Sequence, residues 1–187
     1  MNYYDLLYDY ENEKSTYFIT FNESLLSFGR YDINRGNYIN TEPIEIDEKI
    51  KENTIISDYI SNNLAWFMVT EKFKNLLQDF NIGETQFIPV IKLDSKEIIG
   101  YIVNVISVLD ALDLDNSMHT KIKYDDNGEE KYYISIIKYA LKEDKLENRD
   151  LVCLKDKFHS IFISEKLKKA MIKAKITGCD YTKVKVT

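Results

Sequence analysis

Cysteine is scarce in this sequence: Cys153 and Cys179 are the two present, and neither belongs to a CxxC pair. A secreted chain of 187 residues would be expected to carry a fuller disulfide framework, so a reducing compartment is favoured. Histidine is equally sparse, at two, and no His/Cys/carboxylate set stands at zinc spacing. Long apolar runs are also missing. The longest, residues 98–109, is broken by Gly100, Asn104 and Ser107 and falls short of the ~20 residues a membrane-spanning helix needs. The opening Met1-Asn2-Tyr3-Tyr4-Asp5 lacks a basic and then apolar leader, so no signal peptide and a cytoplasmic location are expected. Nucleotide-binding glycine loops, GxSxG and HExxH are absent as well.

What is present is a globular balance, with 44% apolar and 30% charged residues. A chain of this length buries roughly 70% of its unfolded surface, enough for one domain without a metal or disulfide staple. The net charge of −6 is unevenly spread. Residues 140–187 hold 12 basic against 7 acidic side chains, which leaves 13 basic and 24 acidic in residues 1–139. An acidic surface repels phosphate backbones and attracts cationic proteins, so a protein partner is favoured over nucleic acid. The plainer role of such charge is solubility.

The chain contains an internal echo. Phe67-Met68-Val69-Thr70-Glu71-Lys72-Phe73-Lys74-Asn75-Leu76-Leu77 returns as Ile161-Phe162-Ile163-Ser164-Glu165-Lys166-Leu167-Lys168-Lys169-Ala170-Met171. In each copy a short apolar strand runs into a hydroxyl residue able to cap a helix, with glutamate in the first turn at the positive end of the helix dipole. Phe73, Leu76, Leu77 and Phe80 form one apolar stripe, and Leu167, Ala170, Met171 and Ala174 form another. Gly83 and Gly178 sit just past the helix ends, where a left-handed stop is favoured. Strands follow over residues 86–93 and 180–186. Residues 101–108 predict a strand buried on both faces. Asp125-Asp126-Asn127-Gly128 predicts a hairpin turn joining residues 121–124 to 131–138. Short strands are expected at 17–21, 44–46, 150–154 and 160–163, and a short helix at 55–63. The fold class expected is α+β of an α/β type: a single domain over residues 1–187 with a mixed sheet and two repeated strand–helix–strand units. Residues 1–56 are its least legible, strand-rich part.

Several groups invite a chemical reading. Asp110, Asp113, Asp115, Ser117 and His119 resemble the opening of a calcium loop, but Met118 stands where that loop needs glycine and Tyr124 where it needs a bidentate glutamate. Either a metal-assisted enzyme site or a polar loop bonding its own backbone accounts for them. Cys153 and His159 are a conceivable nucleophile and base, although Val152-Cys153-Leu154 reads as a buried strand. Lys166, Lys168, Lys169, Lys173 and Lys175 read as the solvated side of a helix. At the N-terminus Tyr4, Tyr8 and their neighbours Tyr3 and Tyr10 alternate with Asp5, Asp9, Glu11 and Glu13. Tyrosine joins apolar area to a polar tip, and adjacent carboxylates steer a cationic partner. Tyr4, Asp5, Tyr8, Asp9, Glu11 and Glu13 are therefore candidate partner-binding residues, the alternative being a tyrosine-rich edge strand. No catalytic, cofactor or metal residue is assigned.

Val69-Thr70-Glu71-Lys72-Phe73-Lys74 with Gln86-Phe87-Ile88-Pro89-Val90 resembles the first half of a bacterial family, immunity family eleven of the polymorphic-toxin systems. Asn104-Val105, Leu109-Asp110-Ala111-Leu112-Asp113 and Ser117 are similar to its central block. Ile163-Ser164-Glu165-Lys166-Leu167-Lys168 and Ile176-Thr177-Gly178-Cys179-Asp180-Tyr181 are similar to its ending. The resemblance covers residues 57–184, with Thr70 in place of the family's usual serine, an exchange of one capping hydroxyl for another. It implies a cytosolic, non-enzymatic protein that binds and blocks a cognate toxin domain without a cofactor; a monomer or a homodimer is expected. The alternatives are a small metal-assisted enzyme using the Asp110–His119 region and a self-associating regulatory module.

Overall fold

A computed structural model describes residues 1–11, 17–47, 54–126 and 129–187. In chain order the first half gives β1 (Tyr3–Tyr8), β2 (Phe18–Ile19), β3 (Ile44–Ile46), β4 (Ser61–Asn62), β5 (Met68–Val69), α1 (Glu71–Gln78), β6 (Thr85–Lys92) and β7 (Ile98–Val105). The second gives β8 (Met118–Asp126), β9 (Glu129–Lys138), β10 (Ala140–Leu141), β11 (Leu151–Leu154), β12 (Lys157–Ser164), α2 (Glu165–Lys173) and β13 (Cys179–Val186). Sheet outweighs helix more than an α/β reading anticipates, because the two helices run to only eight and nine residues.

Both helices begin on a hydroxyl. Thr70 accepts the Phe73 N–H at 3.4 Å, and Ser164 accepts the Leu167 N–H at 3.1 Å. Each supplies an acceptor that the first helical turn lacks. Gly83 (φ 68°) and Gly178 (φ 78°) adopt the left-handed backbone that the sequence assigned to them.

Instead of one mixed sheet there are two large ones. The first has the order β3-β6-β7-β5, with β3 parallel to β6 and the other pairs antiparallel. The second has the order β10-β13-β1-β12-β11, with β10 parallel to β13 and the rest antiparallel. Two smaller sheets pair β2 with β4 and β8 with β9. Strand β1 is thus central, flanked by β12 and β13, and not the edge strand that its tyrosines suggested. Residues 55–63 are extended, not helical: Tyr59 bridges to Val69, and β4 pairs with β2. The strand expected over 101–108 stops at Val105, and that over 17–21 shrinks to two residues. The turn residues Asn127 and Gly128 lie outside the described residues, while the pairing of β8 with β9 around them follows the expectation.

The helices and both large sheets share one core. Phe73 and Leu77 of α1 and Leu167 and Met171 of α2 pack with Val69, Tyr101 and Val103 of the first sheet. Leu6, Leu151, Cys153, Ile161 and Ile163 of the second complete it. Each fully buried side chain of this size stabilises by roughly 1.5–3 kcal/mol. Alternate strand residues turn to separate cores, as pleating requires. Met68, Ile88, Val90 and Ile102 meet Trp66, Ile19 and Ile33. Tyr3, Val152, Phe162 and Val184 meet Leu109, Ala111 and Leu141.

Candidate functional site

Strand β1 divides the N-terminal candidates between its two faces. Tyr4 packs against the shared core, and the Lys168 ammonium lies 3.7 Å from its ring centroid. Asp5 is half-buried in the middle of the strand, opposite Phe162 on one side and Thr182 on the other. Burial raises its carboxyl pKa to about 6, and among the described residues its Oδ1 has no hydrogen-bond partner. A buried, unpartnered carboxylate disfavours its own ionisation.

The end of the strand is different. The Tyr8 ring meets Tyr10 edge-on at 4.7 Å and Tyr59 at 5.6 Å. Tyr10 is 76% exposed. The Asp9 carboxylate accepts the Glu11 N–H at 3.2 Å, and the Asp9 N–H donates to the Gly178 carbonyl at the same distance. Burial, foremost, with Cys179 beside it raises the Tyr59 phenol pKa, so that hydroxyl stays protonated. The structure therefore gathers Tyr8, Tyr10, Tyr59, Asp9 and Glu11 and leaves Tyr4 and Asp5 apart; Glu13 lies outside the described residues. Tyr59 had no local signal in the sequence, because only the strand register brings it here. The group offers aromatic area, hydroxyl tips and two carboxylates, a combination suited to a cationic protein surface.

The Asp110–His119 group does not converge. Asp113 accepts the Thr187 hydroxyl at 2.6 Å, the Asn116 side-chain amide at 2.9 Å and its N–H at 3.1 Å. The Thr187 hydrogen bond, with those from Asn116, holds this carboxyl below its ordinary value. Ser117 donates to the Asp113 carbonyl at 2.5 Å and accepts the Ala140 N–H at 2.9 Å, which ties the loop to β10. Asp110, Asp115 and His119 are exposed. Among the described residues no three His, Cys, Asp or Glu side chains are grouped to hold a metal ion. The arrangement is that of a polar loop fastened to its own backbone.

Cys153 is buried, with its Sγ 3.5 Å from the Phe158 carbonyl, and burial pushes its thiol up to about 12. A thiol held protonated is a poor nucleophile. His159 lies tilted against Phe158 and meets Tyr31 edge-on, and burial with the Arg30 and Arg35 charges lowers its pKa. On α2, Lys166 pairs with Asp150 at 3.3 Å and Lys169 with Glu165 at 3.0 Å.

The β8–β9 ribbon was legible as a hairpin, but its exposed apolar residues were not. Met118, Tyr132, Tyr133 and Ile137 are each about half exposed. No described helix is long and apolar enough to cross a membrane.

A model of the immunity protein family Imm11 matches residues 12–186. No curated protein matches the chain.

Proposed function

Since the chain belongs to the Imm11 immunity protein family, we propose that it binds a bacterial toxin domain and blocks it, with no catalysis of its own. The family match over residues 12–186 carries this reading. Residues that could have carried chemistry are engaged in holding the fold: Asp113 fastens a loop, and Cys153 is a buried hydrophobe. The toxin belongs to a polymorphic-toxin system, and the complex forms in the bacterial cytoplasm.

The candidate contact residues are Tyr4, Asp5, Tyr8, Asp9, Glu11 and Glu13, of which Tyr8, Asp9 and Glu11 stand together with Tyr10 and Tyr59. Carboxylates here would draw a cationic toxin and speed its encounter, while the aromatic rings supply the anchoring area. The scaffold beneath is one domain, in which β5–α1–β6 and β12–α2–β13 are two copies of one strand–helix–strand unit. Support for that comes from the shared core and from the equivalent caps at Thr70 and Ser164.

The test is co-expression with the C-terminal domain of the effector encoded beside this gene. Rescue of growth and a co-purifying complex are expected. Continued growth arrest with no complex would sink the reading. Exposed residues on the β8–β9 ribbon favour a second reading, self-association through an unpartnered sheet. Light scattering at micromolar concentration decides it, since a uniform 22.0 kDa species would discard it.

A further inference from the structure

The loop of residues 29–38 is pinned from beneath to a degree that exceeds what covering the core requires. Asn34 is 3% exposed and takes a left-handed backbone at φ 60°. Its N–H donates to Asn104 Oδ1 at 2.8 Å, its Oδ1 accepts the Val105 N–H at 2.6 Å, and its Nδ2 donates to the Phe158 carbonyl at 2.8 Å. Asn104, fully buried, donates to the Asn37 carbonyl and to Gln86 Oε1, both at 3.0 Å. Gln86 closes a two-way bond with the Ile39 backbone, and the Trp66 indole N–H donates to the Arg30 carbonyl at 2.9 Å. A buried amide network with its bonds made fixes one backbone conformation.

Above this platform the loop shows polar and aromatic tips to solvent. Tyr31 is 55% and Tyr38 62% exposed, and Arg35 is exposed as well. Arg35 is already oriented: its Nε donates to the Tyr31 carbonyl at 3.0 Å, and its guanidinium lies 3.7 Å above the Phe158 ring. Its two terminal amino groups have no acceptor among the described residues. Nearby acids are otherwise engaged. Glu23 pairs with Arg30, Asp32 accepts the Gly29 N–H, and Glu84 accepts the Tyr38 hydroxyl. Two of the chain's three arginines lie in this loop.

We propose that residues 29–38 form a preorganised docking loop for the toxin domain, in which the Arg35 fork receives a carboxylate of the partner beside Tyr31. The inference rests on the immunity reading and adds to it the residue that fixes orientation. Arginine presents paired donors in the geometry of a carboxylate. Tyrosine and arginine dominate the energetic centres of interfaces. A loop already ordered before binding loses little entropy when it docks. The acid-rich surface draws the partner in, and the Arg35 contact sets how it sits.

Calorimetry of the full chain against the C-terminal toxin domain encoded beside it tests this, with wild type, Arg35→Gln, Arg35→Lys, Tyr31→Ala and the ribbon control Lys121→Gln. Arg35→Gln and Tyr31→Ala should each weaken binding roughly thirtyfold or more. Arg35→Lys, which keeps the charge and loses the fork, should weaken it about tenfold, while Lys121→Gln should bind as wild type does. Thermal melts identify any variant that fails to fold, and Arg35→Lys then carries the test. Wild-type binding with unchanged affinity in the loop variants overturns the loop and spares the immunity reading. No binding by wild type overturns both. Binding of a single-stranded oligonucleotide that disappears in Arg35→Gln would reassign the fork to phosphate and overturn the carboxylate.

Discussion

The Asp58 carboxylate accepts the Thr70 hydroxyl at 2.7 Å, and so fixes the residue that caps α1. Asp150 does the same for Ser164 and α2 at 2.6 Å. In both places the aspartate carbonyl also takes the cap's own N–H at 2.9 Å, and the second carboxylate oxygen takes a lysine two residues into the sequence beyond the cap, Lys72 or Lys166. The bonds then cross over. Asp58 accepts the N–H of Thr177, beyond the end of α2, and Asp150 accepts the N–H of Asn81, beyond the end of α1. Each aspartate joins the start of its own helix to the exit of the other.

Removing either junction strands several donors in a buried place. Asp58 is 8% and Asp150 6% exposed. Asp58→Ala and Asp150→Ala should each lower unfolding free energy by about 2–4 kcal/mol, since bonds to charged groups contribute more than neutral ones and orphaned donors cost extra. Urea denaturation measures this. A loss below ~1 kcal/mol in both would mean that the helices are held by their apolar faces alone.

Asp58 should hold its charge to lower pH than an ordinary aspartate. Burial works to raise its pKa, but the bonds from Lys72, Thr70 and Thr177 outweigh burial and hold it below the ordinary 3.8. A depressed carboxyl contributes stability above the unfolded value, and that contribution disappears as pH falls through the folded value. The stability lost on acidification below about pH 4 should therefore shrink in Asp58→Asn. A variant with the same acid limb as wild type would refute the assignment.

Asp5 should act in the opposite sense. Burial raises its carboxyl to about 6, so the folded state binds a proton that the unfolded chain has released. Its contribution is complete below the ordinary 3.8 and is lost as pH rises through about 6. Asp5→Asn should accordingly be more stable than wild type at pH 7.5, by about 1–2 kcal/mol, and the difference should fade towards pH 4. Melting curves across that range settle the sign.

The two terminal glycines of the helices are not equivalent. A Cβ on Gly178 would approach the Tyr59 carbonyl oxygen to 2.8 Å, which is backbone and cannot move aside. On Gly83 the nearest obstacles are the Arg149 guanidinium and the Ser107 hydroxyl, side-chain ends that can turn away. Both sit at positive φ and both alanine variants should be destabilised, Gly178→Ala by about 1 kcal/mol more than Gly83→Ala. Equal melting temperatures would refute the distinction.

Much of this was written locally in the chain. Thr70 and Ser164 announce helices because a capping hydroxyl, a first-turn glutamate and an apolar stripe all lie within eight residues. Gly83 and Gly178 announce their exits for the same reason. Residues 55–63 suggest a helix because the spacing of Ile56, Tyr59 and Ile60 suits one, whereas strand pairing with Val69 and β2 decides the outcome. The position of β1 depends on residues at the far end of the chain, so nothing in its own sequence distinguishes centre from edge. The Asn34–Asn104–Gln86 network was invisible for a similar reason: three amides far apart in sequence carry no pattern until the fold brings them together. Among the N-terminal candidates, alternation along β1 separates Tyr4 from Asp5, which composition alone could not do.

The placement of β1 between β12 and β13 bears on the order of assembly. Its six residues precede the other described strands, yet its two neighbours begin only at Lys157 and Cys179. Until then its two rows of amide and carbonyl groups have no native companions, and its first half cannot be completed by anything upstream of β12. Formation of the second sheet is therefore a late event that closes a loop nearly as long as the chain, a slow step by topology. A nascent protein stalled or clipped before β12 would present that bare strand to whatever else is in the cell.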